Sequence, residues 1–253
     1  MEMKTRHAVV AGAFYSASKE EIESMLDKFL KNVPNIRLEK ELKALIVPHA
    51  GYIYSGQVAA YAYSLLKNSK KQKIILLGPS HSVYLNDIAA DANDYWETPL
   101  GKVKLIQNNF LKSKEAHINE HCLEVQVPFL QTILKDFEIL PLVVGDAAPK
   151  EISEKIINLL GNNTILIISS DLSHYQPYDM AVETDKNTIK AIQDLDYDKM
   201  EKKGDACGKI PIMVLIDIAN KLNWKPKLLN YKNSGDVTGD KSGVVGYASF
   251  AFY

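Results

Sequence analysis

Cysteine is scarce in this chain, which contains only Cys122 and Cys207 among its 253 residues. Two cysteines in unlike contexts do not make a disulfide framework, so the sequence predicts a protein of a reducing compartment, the cytoplasm. Long apolar runs are missing as well, because none approaches the roughly 18 residues that a membrane span needs. The polar N-terminus does not look like a secretory signal, and a membrane is therefore not an expected partner.

An excess of positive charge is also absent. Lysine and arginine nearly balance aspartate and glutamate, the net charge is −1, and no basic stripe is visible. Nucleic acid is therefore not an expected partner. The sequence further lacks the glycine fingerprint of dinucleotide sites, the phosphate-binding loop and the nucleophile elbow of serine hydrolases. These absences remove three common enzyme classes from the expected functions.

The chain does contain many strand-like aliphatic runs that alternate with helical segments. This alternation, with short connections and neither linker nor repeat, predicts one domain over residues 1–253. Its class is α/β, with a mostly parallel central sheet flanked by helices. The predicted strands are 43–47, 73–77, 88–90, 103–106, 138–144, 164–168 and 244–253. One predicted helix begins after Ser18, and others cover 56–66, 124–137, 149–160, 179–195 and 210–222. Residues 95–101 are predicted as a loop.

Three histidines each follow one of the aliphatic runs: His49, His81 and His174. In parallel sheets the ligand crevice lies outside the carboxyl ends of the strands. We therefore expect these imidazoles, far apart in sequence, to reach one edge of one sheet. Such a group is typical of a metal site or an acid–base site.

His49 and His81 are the candidate metal ligands on position alone. Each lies in a short proline-containing turn, and two neutral imidazoles from neighbouring strands supply half of a divalent-metal site. The alternative for His49 is a loop histidine satisfied by backbone hydrogen bonds.

Asp171 and His174 are the candidate catalytic residues. Asp171 is placed to orient a histidine, and His174 is placed to act as a general acid or base. The alternative is an Asx turn in which Asp171 binds backbone amides and His174 lies on the surface. Cys207 precedes a predicted helix, whose N-terminus would lower the thiol pKa and favour a metal-binding thiolate. An inert buried thiol is the alternative.

Five further residues are candidates for the pocket. Glu120, His121 and Glu124 belong to a segment that is predicted to open a helix, where acidic groups also favour the helix dipole. Tyr52 and Tyr54 are candidates for an aromatic wall, or they pack loops onto the core.

Seven short motifs, taken in order, resemble those of the Memo family, named for mediator of cell motility. They are AGAFY at 11–15, PHAGY at 48–52 with YSG at 54–56, GPSH at 78–81, EHCLE at 120–124, VGD at 144–146, SSDLSHY at 169–175 and CGKIP at 207–211. Each motif is weak alone, but the ordered set covers essentially the whole chain and is highly specific.

The resemblance implies a fold similar to that of class III extradiol dioxygenases, which are non-haem iron enzymes. It implies iron or copper as cofactor, with zinc as a further candidate, and His49, His81 and Cys207 as the metal ligands. His174 falls where the dioxygenases keep a catalytic histidine, and Asp171 lies beside it. The cysteine replaces a carboxylate ligand, and a thiolate is softer and can itself be oxidised. The dioxygenase reaction is therefore carried over by analogy only.

The resemblance also implies partners. Animal relatives are linked to redox and motility signalling through a phosphotyrosine receptor peptide, and microbial relatives are encoded beside a radical-SAM protein and a third family. We therefore expect a small molecule or a peptide as the ligand of this chain.

Three functions remain open on the sequence. The favoured one is a non-haem iron or copper-dependent oxidoreductase with a site of two histidines and one cysteine. The second is a catalytically inactive binding or accessory protein that recognises a peptide or protein through the ancestral pocket. The third is a zinc-dependent hydrolase with His174 or Glu120 as general base.

Overall fold

A computed structural model of the chain describes residues 3–67 and 69–253. In these residues ten strands form one sheet. The strands are β1 (Thr5–Arg6), β2 (Ala44–Val47), β3 (Lys73–Pro79), β4 (Ile88–Ala90), β5 (Tyr95–Thr98), β6 (Gly101–Leu105), β7 (Glu138–Val144), β8 (Thr164–Ser169), β9 (Pro226–Asn233) and β10 (Gly246–Phe252).

The sheet has the order β1-β5-β6-β7-β3-β8-β2-β10-β9, and β4 pairs with β7 beside this path. Its centre, from β6 to β2, is parallel throughout. Antiparallel pairs lie toward both edges, between β5 and β6 and among β2, β10 and β9. The single α/β domain with a mostly parallel central sheet is therefore confirmed. The sheet places the carboxyl ends of β3, β8 and β2 side by side.

The described helices are α1 (Lys19–Lys31), α2 (Tyr52–Tyr63), α3 (Glu115–Ile118), α4 (Val127–Ile133), α5 (Pro149–Ile157), α6 (Tyr178–Gln193), α7 (Tyr197–Lys203), α8 (Lys209–Leu222) and α9 (Ser234–Thr238). Short 3-10 turns cover Ser64–Leu66 and Glu124–Gln126. The Ser18 side chain caps α1 by accepting a hydrogen bond from the Glu21 amide, as its sequence predicts. None of the helices in the described residues has the length and apolar character needed to cross a bilayer.

Two hydrophobic layers cover the faces of the sheet. Strand residues of opposite parity enter different layers, so Leu45 and Val47 of β2 pack toward α1 and α2, whereas Ala44 and Ile46 pack toward α5 and α8. All four are fully buried. Burial on both faces explains why the central strands are continuous aliphatic runs rather than alternating ones.

Several segments differ from their prediction. The predicted loop 95–101 contains β5, because Tyr95–Thr98 pairs with β6 in a hairpin. The predicted helix 124–137 is instead a 3-10 turn followed by α4. Helix α4 ends at Ile133 because Leu134 has an extended backbone conformation. Consequently the segment 120–122 does not open a helix but forms the turn between α3 and the 3-10 turn.

Candidate metal centre

Three predicted site residues follow three neighbouring parallel strands. His49 lies two residues past β2, His81 two residues past β3 and Asp171 two residues past β8. Because β3, β8 and β2 are consecutive in the sheet, the loops that leave them share one edge. The structure brings the His49 and His81 rings together there, with centroids 5.2 Å apart.

A third imidazole joins this pair. His121 comes from the turn after α3, and its ring centroid lies 4.7 Å from that of His81 and 5.5 Å from that of His49. One ring nitrogen of each histidine lies within 4.8 Å of the corresponding nitrogens of the other two. The sequence marks His121 only as a candidate for the pocket, because nothing in the local pattern shows which strand end the turn approaches.

Hydrogen bonds fix which nitrogen of His49 is free. Nδ1 of His49 lies 2.9 Å from the Ser169 hydroxyl. That hydroxyl donates its own proton to the Cys122 carbonyl at 2.7 Å and accepts from the Gln126 side chain at 2.8 Å. Nδ1 of His49 must therefore carry the proton, and Nε2 keeps its lone pair. Burial lowers the pKa of His49 well below 6.5, with His81 and His121 as further causes, so the ring is neutral.

His81 is held in the same way by Glu120. The fully buried Glu120 carboxylate accepts from Nδ1 of His81 at 2.9 Å and from the His81 backbone amide at 2.6 Å. Burial opposes its charge, but the hydrogen bonds from His81 outweigh burial and lower the pKa of Glu120 to about 2. A carboxylate that accepts from Nδ1 leaves Nε2 as the donor atom toward a metal.

Cys207 reaches the histidines from the start of α8. Its Sγ lies 3.2 Å from Nε2 of His49 and accepts a hydrogen bond from the Asp171 amide at 3.2 Å. The sequence suggests a lowered thiol pKa, but burial, followed by the charge of Asp171, raises the pKa of Cys207 to about 12. Burial thus outweighs the lowering of the thiol pKa that was expected from the helix N-terminus. A bound metal ion would have to displace the thiol proton.

Asp171 supports His49 through the backbone. Its carboxylate accepts the His49 amide at 2.8 Å, and burial raises the pKa of Asp171 to about 7. His174, three residues later, is half-buried and lies outside the group of three histidines. Burial lowers the pKa of His174, and its charge would act on His49 and His81. Tyr175, the next residue, has the left-handed φ of 57°.

A cavity of about 560 Å³ opens beside the group. His81 and Cys207 both line it, together with Tyr84 and Lys209. The arrangement gives a small molecule access to two of the candidate ligands. A larger cavity of about 810 Å³ lies at the amino ends of the same strands, beside Lys73, and has no contact with the histidines.

Three of the candidate pocket residues have other surroundings. Tyr52 is buried, donates to the Val125 carbonyl at 2.6 Å and packs against Phe129, as a core aromatic does. Tyr54 is more than one-third exposed. Glu124 is buried beneath the N-terminal segment and forms an ion pair with Arg6 at 2.7 Å.

The sequence gives no sign that residues 5–15, here called the N-terminal arm, reach the centre through Phe14, whereas His7 of the same arm is exposed at the surface. Arg6 also donates to the His117 and Glu120 carbonyls at 2.8 Å each, and its guanidinium lies 4.4 Å from the Trp96 ring. At the other end of the arm, the Phe14 ring lies 4.9 Å from the His121 ring. A buried ion pair thus anchors an arm that packs against the third histidine.

These donors fit iron, copper or zinc. Imidazole nitrogen and thiolate sulfur both bind these metals, with bonds of about 2.0 to 2.3 Å. Two such donors on one tetrahedral ion lie about 3.5 Å apart, and the 3.2 Å between Sγ of Cys207 and Nε2 of His49 is close to this value. The nearby carboxylates have other partners, since Asp171 binds the His49 amide and Glu120 binds His81.

Comparison with known proteins identifies the family. A model of the Memo-like protein family matches residues 6–251. A MEMO1 family protein of Sulfolobus acidocaldarius is 37% identical, over 98% of this chain and 99% of its own. Those of Nitrosopumilus maritimus and Aquifex aeolicus are each 36% identical, over 98% and 99% of this chain. The ordered motifs and these full-length similarities agree, and the chain belongs to the Memo-like family.

Proposed function

We propose that this protein is a metal-binding oxidoreductase that uses iron or copper. One observation carries the proposal: Nε2 of His49, Sγ of Cys207 and the ring of His81 meet beside a cavity at the carboxyl ends of parallel strands. Imidazole nitrogens and a thiol that can lose its proton form a donor set for a redox-active metal. A structural thiol would not need two imidazoles beside it.

The proposed roles follow from the contacts. His49, His81 and Cys207 hold the metal, and iron or copper would supply one-electron chemistry there. Asp171 fixes His49 by accepting its amide, and Glu120 fixes His81 through Nδ1. His174 is half-buried and its charge would act on His49 and His81, so it is the proposed group that exchanges a proton with the substrate. The proposed substrate is a small molecule or a peptide end that enters the cavity.

The cytoplasm is the proposed compartment. Cys122 and Cys207 are both free thiols in the described chain. A reducing environment preserves a thiol that must be available to bind metal.

A second function, that of an inactive binding or accessory protein, is supported by exposed aromatic rings near the site. Tyr84, in the wall of the cavity, and Tyr175, beside His174, are each 79% exposed. Exposed aromatic side chains are frequent anchors in protein interfaces. Under this proposal the partner is a peptide or a protein, such as the radical-SAM protein implied by the family resemblance.

Anaerobic loading followed by exposure to air separates the two functions. The wild type and Cys207→Ser are loaded with Fe(II) or Cu(I), and oxygen uptake and the metal's electron paramagnetic resonance are followed with phenolic and thiol substrates. If the protein is an oxidoreductase, the wild type should take up oxygen in the presence of substrate, and Cys207→Ser should not. Metal-loaded wild type that never changes redox state refutes it, and a stoichiometric partner from a native lysate then supports the second function.

A further inference from the structure

We propose that His121 is a third imidazole ligand, so that the centre contains three histidines and one thiolate. This inference rests on the proposed metal-binding function. It goes beyond the ligand set implied by the family resemblance, which contains His49, His81 and Cys207 only. The starting point is the mutual approach of the three rings, with one nitrogen of each within 4.8 Å of the others.

The His121 ring is enclosed rather than free in solvent. Its side chain is 22% exposed, the Phe14 ring lies 4.9 Å away on one side, and His81 and His49 lie on others. The ring meets the other two histidines in different orientations, tilted by 32° to His81 and nearly perpendicular to His49. This is convergence around a point rather than a stack, as expected for imidazoles that share an ion.

One buried carboxylate serves two of the rings. Oε1 of Glu120 lies 2.9 Å from Nδ1 of His81 and 3.4 Å from Nδ1 of His121, and its side chain is 1% exposed. A carboxylate on the outer nitrogen of a histidine is the common support of a metal-binding imidazole, because it fixes the tautomer and directs Nε2 inward. Glu120 therefore fixes His81 through this hydrogen bond, and its charge lies beside the outer nitrogen of His121.

The inner nitrogens have no competing partner. Within the described chain, no residue forms a hydrogen bond with Nε2 of His81 or with Nε2 of His121, and Nε2 of His49 has only the sulfur of Cys207. Once a metal ion has displaced the thiol proton of Cys207, three imidazoles and one thiolate would bring a single negative charge to the cation.

The inference has a chemical consequence. Three imidazoles and a thiolate form a softer set than two imidazoles and a carboxylate, and they favour copper or zinc over Fe(II). A fourth protein ligand also occupies a position that a dioxygenase keeps open for oxygen or substrate. His121 would therefore distinguish this centre from the dioxygenase site that the family resemblance implies.

Cobalt titration tests the inference with a readout other than activity. Co(II) is added to the wild type, His121→Ala and the control His7→Ala, whose imidazole is exposed at the surface. We expect a stoichiometric absorption spectrum in the wild type and the control, and in His121→Ala at least about tenfold weaker binding with an altered spectrum. Equal affinity and an unchanged spectrum in His121→Ala would overturn the inference but leave the proposed function standing.

Nitrogen chemical shifts provide the same test without a variant. In wild-type protein labelled with ¹⁵N, Zn(II) should shift Nε2 of His49, His81 and His121 together while their Nδ1 atoms stay protonated. A shift confined to His49 and His81 overturns the role of His121. No saturable binding of either metal by the wild type would instead refute the proposed metal-binding function.

Discussion

Sγ of Cys207 lies 3.2 Å from Nε2 of His49, although 158 residues separate them in sequence. His49 lies in the loop that follows β2, and Cys207 lies just before α8. The contact forms because the start of α8 packs over the end of β8, the strand next to β2. This thiol–imidazole pair, with His81 beside it, is the feature on which the account of function depends.

Replacing the thiol by a carboxylate should change which metal is preferred. Cys207→Asp creates the harder donor set that suits Fe(II), so Cu(I) affinity should fall more than tenfold while Fe(II) binding is kept. Competition between the two metals under anaerobic conditions measures this, with His7→Ala as control. If both affinities fall equally, Cys207 contributes to the fold of the site and not to its metal selectivity.

Gly208 fixes the position of Cys207. A Cβ atom at Gly208 would lie 2.6 Å from Cβ of Ser170 and 2.9 Å from the Ser169 carbonyl, too close without a shift of the chain. Gly208→Ala should therefore move Cys207, weaken metal binding and destabilise the protein by about 1–3 kcal/mol.

The matched control for this substitution is Gly161→Ala, since the added Cβ would meet nothing closer than 3.8 Å. Metal titration and urea unfolding of both variants check the prediction. Unchanged metal affinity in Gly208→Ala would show that the site tolerates a displaced start of α8.

Much of this architecture is predictable from the sequence. Long aliphatic runs mark β3, β7 and β8, because strands buried on both faces must be apolar at every position. The same runs lead to His49 and His81, so two candidate ligands follow from the strand ends alone. Cys207 is a candidate ligand from its place before a predicted helix, but only the family resemblance assigns it to the same site as the histidines.

The segments that the sequence did not reveal depend on distant partners. β9 (Pro226–Asn233) mixes lysine, asparagine and leucine and is a strand because β10 pairs with it along its length. His121 approaches the other two histidines only because the turn 120–122 packs against the end of β3. At that point the Cys122 sulfur occupies the space that a side chain at position 78 would need, so Gly78 permits the contact. The raised pKa of Cys207 likewise depends on burial that a local sequence does not show.

The buried ion pair of the N-terminal arm should be important for stability. Arg6→Met leaves the Glu124 carboxylate, which is 1% exposed, without its cation, and removing one partner of a buried pair costs about 3–5 kcal/mol. Urea unfolding of the metal-free protein measures the loss. The exposed pair between Lys19 and Glu23 supplies the control, because Lys19→Met should change stability by less than about 0.5 kcal/mol. Equal effects of the two substitutions would contradict the role of the arm.

Stability of the metal-free protein should decrease in mild acid. Burial lowers the pKa of His117 below its ordinary value of 6.5. Just below pH 6.5, His117 therefore binds a proton in the unfolded chain but remains neutral in the folded chain. The folded state therefore loses stability as pH falls through about 6.5, and His117 contributes up to about 1.4 kcal/mol per pH unit.

His117→Gln tests this contribution, because glutamine can still donate to the Ala89 carbonyl that Nε2 of His117 contacts at 3.0 Å. Unfolding free energies at pH 7.5, 6.5 and 5.5 should show a shallower slope in the variant than in the wild type. Parallel slopes would mean that His117 titrates equally in the folded and unfolded states.

The metal content of the purified protein tests the central claim most directly. Elemental mass spectrometry is applied to the wild type, His49→Ala, Cys207→Ser and the control His7→Ala, each after anaerobic reconstitution with iron or copper. The account predicts near-stoichiometric metal in the wild type and in His7→Ala, and its loss from both site variants. A wild type that holds no metal, or site variants that hold as much as the wild type, would contradict it.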